Sequence, residues 1–197
     1  MFILSEISDL IRIPPSSFNV PIELSLKDEL HQKYSNKIIA NLGLAICVWD
    51  ILDIKDGLLK PGDGGSYVEV CFRMMMWKPF RGEILTGWIT ECNAKGIKVR
   101  TAFFDEIWIP KEFLFENCEY RESENVWVYL LEENELFLDV DEKIRFRVEE
   151  ELFYNVKPKV DDQNDEETEE EKAKNVLPPY SITASCQDYG MGCVEWW

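Results

Sequence analysis

Residues 80–111 read FRGEILTGWITECNAKGIKVRTAFFDEIWIPK, and aromatic and cationic side chains recur there at intervals that suit contact with a nucleic acid. Trp88, Phe103, Phe104 and Trp108 offer ring faces on which bases can stack, and Lys95, Lys98, Arg100 and Lys111 offer cations for phosphates. Lys98 and Arg100 are two residues apart, so on an extended strand they share one face while Ile97 and Val99 take the other. A second reading competes with this one: the rings are core and the cations are ordinary solvated surface. Spacing alone leaves both open.

Other chemistry-bearing patterns are weaker. The run KDGLLKPGDGGS from Lys55 to Ser66 has the glycines of a phosphate cradle but lacks its closing Gly-Lys-Ser/Thr and is followed by an apolar, strand-like run. Its Asp-Gly and Pro-Gly pairs instead predict a turn-rich, solvent-facing loop, either a projecting docking element or a plain hairpin turn. His31 sits alone in a helical run, with no nucleophile motif beside it. The six cysteines, at 47, 71, 92, 118, 186 and 193, include no CxxC pair, so metal-ligand spacing is absent and reduced thiols are expected. No enzyme chemistry and no cofactor are expected from these patterns. Met74, Met75, Met76 and Trp77 are apolar on both faces of a strand, which predicts either core or a contact surface, with Met74, Met76 and Trp77 as candidates for touching a partner.

The elements that must position these groups fall into an α+β arrangement. A strand over residues 2–13 stops at Pro14-Pro15, a helix is predicted over 25–37 with its end marked by Ser35-Asn36, and strands follow over 42–54 and 67–77. Residues 1–79 thus form a small domain, a curved antiparallel sheet backed by one helix. Residues 80–197 read as an all-β OB-fold barrel, with a first strand bent at Gly87, then strands at 97–101, 105–109, 126–131 and 143–156. An acidic stretch at about 158–176, containing DDQNDEETEEE, interrupts this domain as a solvated insertion, and the aromatic-rich end returns to the barrel as a strand or two.

Composition bounds the function. With 46% hydrophobic and 13% aromatic residues the chain can build a core, but its net charge of −17 opposes autonomous binding to a polyanion. Local basic patches, or a larger basic assembly, must supply any nucleic-acid contact. No run approaches the roughly 20 apolar residues of a membrane span, and the start lacks a basic signal region, so neither a membrane partner nor secretion is expected.

Several separated motifs agree in order with a known family: IRIPP, NLGLAICVWDI, KPGDGGSYVEVCFRMMMWKPFRGEILTGWI, EKIRFRVE and PPYSITASCQDYGMGCVEWW. Together they resemble the larger stalk subunit of archaeal and eukaryotic RNA polymerases, most closely the RNA polymerase III member. The resemblance covers nearly the whole chain except the acidic insertion. It implies a nuclear, non-catalytic subunit that pairs with a smaller helical subunit, docks on the polymerase core and meets initiation factors at genes for tRNA and other short untranslated RNAs. It also implies that the N-terminal domain's loop, Gly57, Leu58, Leu59, Lys60, Pro61, Gly62, Asp63, Gly64, Gly65 and Ser66, faces the core. The barrel would bring Lys95, Lys98, Arg100, Trp108 and Lys111 toward nascent single-stranded RNA. Without the resemblance, the alternative is a free-standing OB-fold RNA-binding protein of translation or RNA decay.

Overall fold

Strict alternation over Phe2–Ile13 builds the first strand, β1: Ile3, Ile7, Ile11 and Ile13 turn inward, while Phe2, Leu4, Leu10 and Arg12 face out. The computed structural model describes residues 1–131, 134–154 and 178–197, and the predicted acidic insertion lies outside them. The chain divides into two units, Met1–Lys78 and Pro79–Trp197.

In the first unit β1 is followed by a helix, α1 (Ile22–Tyr34), and strands β2 (Ile38–Ile39), β3 (Gly43–Ile54), β4 (Leu58–Leu59) and β5 (Ser66–Trp77). The helix begins directly after Pro21, three residues earlier than its apolar spacing predicts, with Ser25 N–H bonded to the Pro21 carbonyl. It ends earlier too, because Ser35 is extended (φ −61°, ψ 138°) and Asn36 is left-handed (φ 59°), so the helix cannot continue past Tyr34. The sheet runs β1-β5-β3-β2, with β4 also paired to β5. Strand β5 is its spine, matched to β1 along the full length from Phe2 opposite Trp77 to Ile13 opposite Ser66. On the helix side Leu26 and Leu30 have no exposed surface and pack with Val70, Phe72, Met74 and Met76. Burying each such side chain contributes about 1.5–3 kcal/mol.

The second unit contains β6 (Ile84–Asn93), β7 (Gly96–Arg100), β8 (Ile107–Pro110), β9 (Cys118–Arg121), β10 (Val126–Leu131), β11 (Asn134–Leu138), β12 (Lys143–Phe153), β13 (Tyr180–Ser185) and β14 (Gly192–Cys193). Strands β6, β7, β8, β13 and β12 pair in a closed ring, since β13 bonds to both β8 and β12 and β12 returns to β6. The β8–β13 pairing is parallel and the others in the ring are antiparallel. This is the five-stranded barrel of an OB-fold, filled by Ile89, Ile97, Val99, Ile107, Phe146, Val148 and Ile182.

Two expected strands change place. Residues 126–131 are not the fourth barrel strand; they are the centre of a separate sheet, β11-β10-β9, inserted between β8 and β12. Val126, Trp127 and Val128 are buried in succession, and the Trp127 indole donates to the Asn93 carbonyl at 3.0 Å. An apolar run buried on both faces does not reveal which sheet it joins. The fifth barrel strand is therefore β13. No helix among the described residues is long and apolar enough to cross a membrane.

The bend expected at Gly87 has a steric origin. Strand β6 pairs with β12 through residues 84–88 and with β7 from Trp88 onward, so two ladders meet at this point. A Cβ on Gly87 would lie 2.5 Å from the Arg100 carbonyl oxygen and 2.8 Å from Val99 Cγ1. Replacing Gly87 with Ala should therefore push β6 from β7 and destabilise the protein by about 1–3 kcal/mol. Thermal unfolding followed by circular dichroism checks this, and an unchanged midpoint would show that the strands yield freely.

Candidate functional site

Three of the five predicted nucleic-acid residues, Lys98, Arg100 and Trp108, lie on adjacent barrel strands, while Lys95 sits in the turn before β7 and Lys111 in a 3-10 turn after β8. Lys98 on β7 stands opposite Trp108 on β8, and Arg100 stands opposite Trp88 on β6. The Arg100 guanidinium lies 5.6 Å from the Trp88 ring centroid, within cation–π range. Lys95 and Lys111 are drawn together because the Lys111 N–H donates to the Lys95 carbonyl at 3.0 Å. Trp88, Lys98, Arg100 and Trp108 thus form a strip across β6, β7 and β8, and Lys95 and Lys111 lie past the end of its ladders.

Acids run through the same strip. The Lys98 ammonium is 2.9 Å from Glu106, Glu91 stands opposite Lys98 in the ladder, and Arg100 is 3.9 Å from Asp141. Lys95 and Lys111 are exposed and make no ion pair among the described residues. Phe104 does not belong to the strip: it is 7% exposed, with its ring centroid 5.3 Å from that of Tyr180. Phe103 remains half in solvent.

Sequence reasoning missed one part of this surface. Tyr154 and Pro178 join Lys98, Trp108, Ser181 and Thr183 around an open groove of about 370 Å³. The Tyr154 N–H donates to the Pro179 carbonyl at 2.9 Å, so residues more than twenty positions apart meet at one point. No local pattern announces such a meeting.

In the first unit the glycine-rich joint is a hairpin rather than a plain loop. Leu58 and Leu59 pair with Tyr67 and Ser66, and the turn beyond uses positive φ at Gly62 (86°) and Gly64 (59°). Leu58 and Leu59 are 72% and 70% exposed, the most exposed leucines in the described chain. Asp63 holds the hairpin to the sheet, accepting from Arg12 Nε at 2.9 Å, Arg12 Nη2 at 2.5 Å and the Tyr67 hydroxyl at 2.5 Å. These donors keep the Asp63 carboxyl well below the usual carboxylate range. Beside the hairpin, Phe18, Val20 and Ile22 line an open groove of about 420 Å³ with Gly57 and Leu59. The apolar residues of the segment FNVPI, exposed before a helix, were the available signal for this neighbour.

The partner-contact candidates are corrected. Met74 and Met76 have no exposed surface and belong to the core beneath α1, while Trp77 is 3% exposed. As the chain stands they offer no face to another protein. The outward side of the same strands does: Leu4 stands opposite Met75, which stands opposite Cys47, with exposed Phe2 and Trp49 nearby. The His31 Nδ1 lies 3.0 Å from the Ser35 hydroxyl at the helix end. All six cysteines are free thiols, and burial pushes Cys92 and Cys118 up to about 11 and Cys186 up to about 12.

Comparison with known proteins agrees along the whole chain. Residues 83–197 match the family described as RNA polymerase III subunit Rpc25, and residues 8–64 match the SHS2 domain found in the N terminus of Rpb7p/Rpc25p/MJ0397. The chain is 47% identical over 211 residues to DNA-directed RNA polymerase III subunit RPC8 of Saccharomyces cerevisiae, covering all of both proteins. It is 37% identical over 201 residues to the Bos taurus subunit of the same name, covering all of this chain and 98% of that one. Subunit Rpo7 of the DNA-directed RNA polymerase of Saccharolobus solfataricus is more distant, 28% identical over 149 residues, covering 75% of this chain and 81% of that one.

The Asp63 anchor sets a measurable outcome. Asp63→Asn should loosen the hairpin, raising amide exchange at residues 58–67 while leaving β5 beyond Val68 protected. Because the folded carboxyl is depressed, its contribution is complete above the ordinary carboxylate value of about 3.9 and is lost only as pH falls below it. Hairpin protection in the unaltered chain should therefore hold from pH 7 down to about 4. Loss of protection near pH 6 would contradict the anchor.

Proposed function

Because the chain belongs to the RNA polymerase III subunit Rpc25 family, we propose that it is the larger, non-catalytic subunit of that polymerase's stalk and acts in the nucleus by docking rather than by chemistry. It pairs with a smaller helical subunit, seats on the polymerase core and contributes to initiation at genes for tRNA and other short untranslated RNAs. The observation that carries this reading is the apolar hairpin. Leu58 and Leu59 are exposed on a hairpin that Arg12, Asp63 and Tyr67 hold in place, next to the groove lined by Phe18, Val20 and Ile22. A pre-organised apolar hairpin lowers the ordering cost of binding, which suits a permanent seat on a larger assembly.

The smaller subunit covers the outward sheet face at Phe2, Leu4, Met75 and Trp49. A permanent heterodimer of this kind buries about 2,000 Å² or more of largely apolar surface. Initiation factors are further partners. RNA contact is a secondary property: rings and cations share the strip on β6, β7 and β8, but the acids beside Lys98 and Arg100 reduce its pull on phosphate. The assembly supplies proximity, and the strip needs only modest affinity.

Replacing Leu58 and Leu59 together with Asp tests the docking. The double variant should fold normally, since both side chains are exposed, keep the smaller subunit, and lose core association by at least about tenfold in quantitative affinity purification. Full retention on the core would refute the assignment. For RNA, the triple change of Lys95, Lys98 and Arg100 to Ala should weaken oligonucleotide binding and reduce the slope of log K against log salt by about 2. An unaltered slope would show this strip to be ordinary surface.

A further inference from the structure

The C-terminal residues build a feature that neither core docking nor RNA contact uses. Beyond β13 the chain turns at Gly190 (φ 83°), forms β14 and makes a single 3-10 turn over Val194–Trp196. Trp196 joins a ring cluster with Phe115 and Tyr129: the Phe115 and Tyr129 centroids are 4.5 Å apart, and Tyr129 and Trp196 are stacked at 6.1 Å with planes 22° apart. Trp197 is fixed by its indole N–H, which donates to the Met191 carbonyl at 3.0 Å. Tyr189 stands edge-on to Trp197, with centroids 4.6 Å apart and planes at 67°. These rings and Leu131 border an open groove of about 510 Å³.

Its rim rings are placed against their solvation preference. Tyr189 is 89% exposed and Trp197 is 56% exposed, so neither is held there by burial within the chain. Rings of this size bury about 150–250 Å² each when covered, and Tyr and Trp supply such area with few rotamers to freeze. The segments that build the groove, 112–118, 126–131, 134–138 and 187–197, carry Glu112, Glu116, Glu135, Asp188 and Glu195 and no lysine or arginine. Three arginines reach these segments from elsewhere: Arg121 bridges Glu135, Arg147 bridges Asp188, and Arg145 donates to the Gly190 carbonyl at 3.2 Å, which leaves Glu112, Glu116 and Glu195 as the exposed acids.

We propose that this groove docks an extended, proline-containing segment of a protein partner that carries lysine or arginine beside the prolines. Two properties select that occupant. Aromatic walls accept pyrrolidine rings face to face, and a polyproline segment enters already ordered, so little conformational entropy is lost. The excess of carboxylates on the segments around the groove then favours cationic flanks and opposes a nucleic-acid strand, whose phosphates those carboxylates would repel. The groove therefore discriminates by charge as well as by shape. The inference stands apart from the stalk reading, since it uses none of the residues assigned to the core or to RNA.

Nitrogen–proton spectra of the tryptophan indoles of the 197-residue chain provide the test, with three probes. The first is a synthetic peptide of consecutive prolines flanked by pairs of arginines, the second replaces those arginines with glutamates, and the third is oligouridylate. The expected result is a saturable shift of the Trp196 and Trp197 indole signals with the first probe, and binding about tenfold weaker with the second, the size expected from a few exposed charge pairs. Tyr189→Ala and Trp197→Ala should abolish the shift, while Tyr189→Phe should keep it. Preserved dispersion of the backbone spectrum shows that each variant is folded. The proposal is overturned if neither peptide moves these indoles, if the glutamate-flanked peptide binds as well, or if oligouridylate alone moves them.

Discussion

The parallel pairing of β13 with β8 is the constraint on which the second unit depends. Ile182 lies beside Ile107 and Thr183 beside Trp108, and the far side of β13 bonds to β12. This one strand closes the sheet on itself, so Ile107, Phe146 and Tyr180 enclose a core that an open sheet would leave half wet. It also fixes everything that follows it. The Cys186 N–H donates to the Phe113 carbonyl at 2.8 Å, the Gln187 side chain donates to the Glu112 carbonyl, and farther on Trp196 stacks on Tyr129 of the inserted sheet. Both the Lys98–Trp108 groove and the ring cluster around Trp196 take their positions from this closure.

Charge distinguishes what the two surfaces of the barrel unit can do. With a net charge of −17, the chain as a whole repels polyanions, and its best cationic strip is interleaved with Glu91, Glu106 and Asp141. Exposed ion pairs of this kind add little stability, about 0–1 kcal/mol each, but they hold the cations close to carboxylates that RNA phosphates must displace. Such a strip serves a subunit brought near RNA by its assembly better than a protein that must find RNA alone. The apolar hairpin of the first unit has no such conflict, because Leu58 and Leu59 gain by leaving water in any complex that covers them.

Much of this was readable from the residues. Alternation marked β1, the glycine inside β6 marked the bend, and the common face of Lys98 and Arg100 followed from a period of two. The turn glycines announced a turn-rich, solvent-facing segment at 57–66, although not that Leu58 and Leu59 extend the sheet. Other features were illegible for physical reasons. Strand β10 looks like any buried strand, because Val126, Trp127 and Val128 are covered on both faces. Met74 and Met76 alternate inward beneath α1, which only the register with β1 reveals, so two residues read as either core or contact surface proved to be core, while Met75 between them faces outward. The aromatic groove needs residues from four separate segments, and no window of sequence contains them together.

The central claim is that the hairpin at 57–66 seats this subunit on the polymerase. Lysine-reactive footprinting of the isolated chain and of the intact polymerase, read out by mass spectrometry, tests it directly, since Lys60 lies exposed at the tip of that hairpin. The account predicts that Lys60 reacts freely in the isolated chain and becomes protected in the assembly, while Lys95 and Lys111 on the barrel stay reactive. Equal reactivity of Lys60 in both states would contradict it.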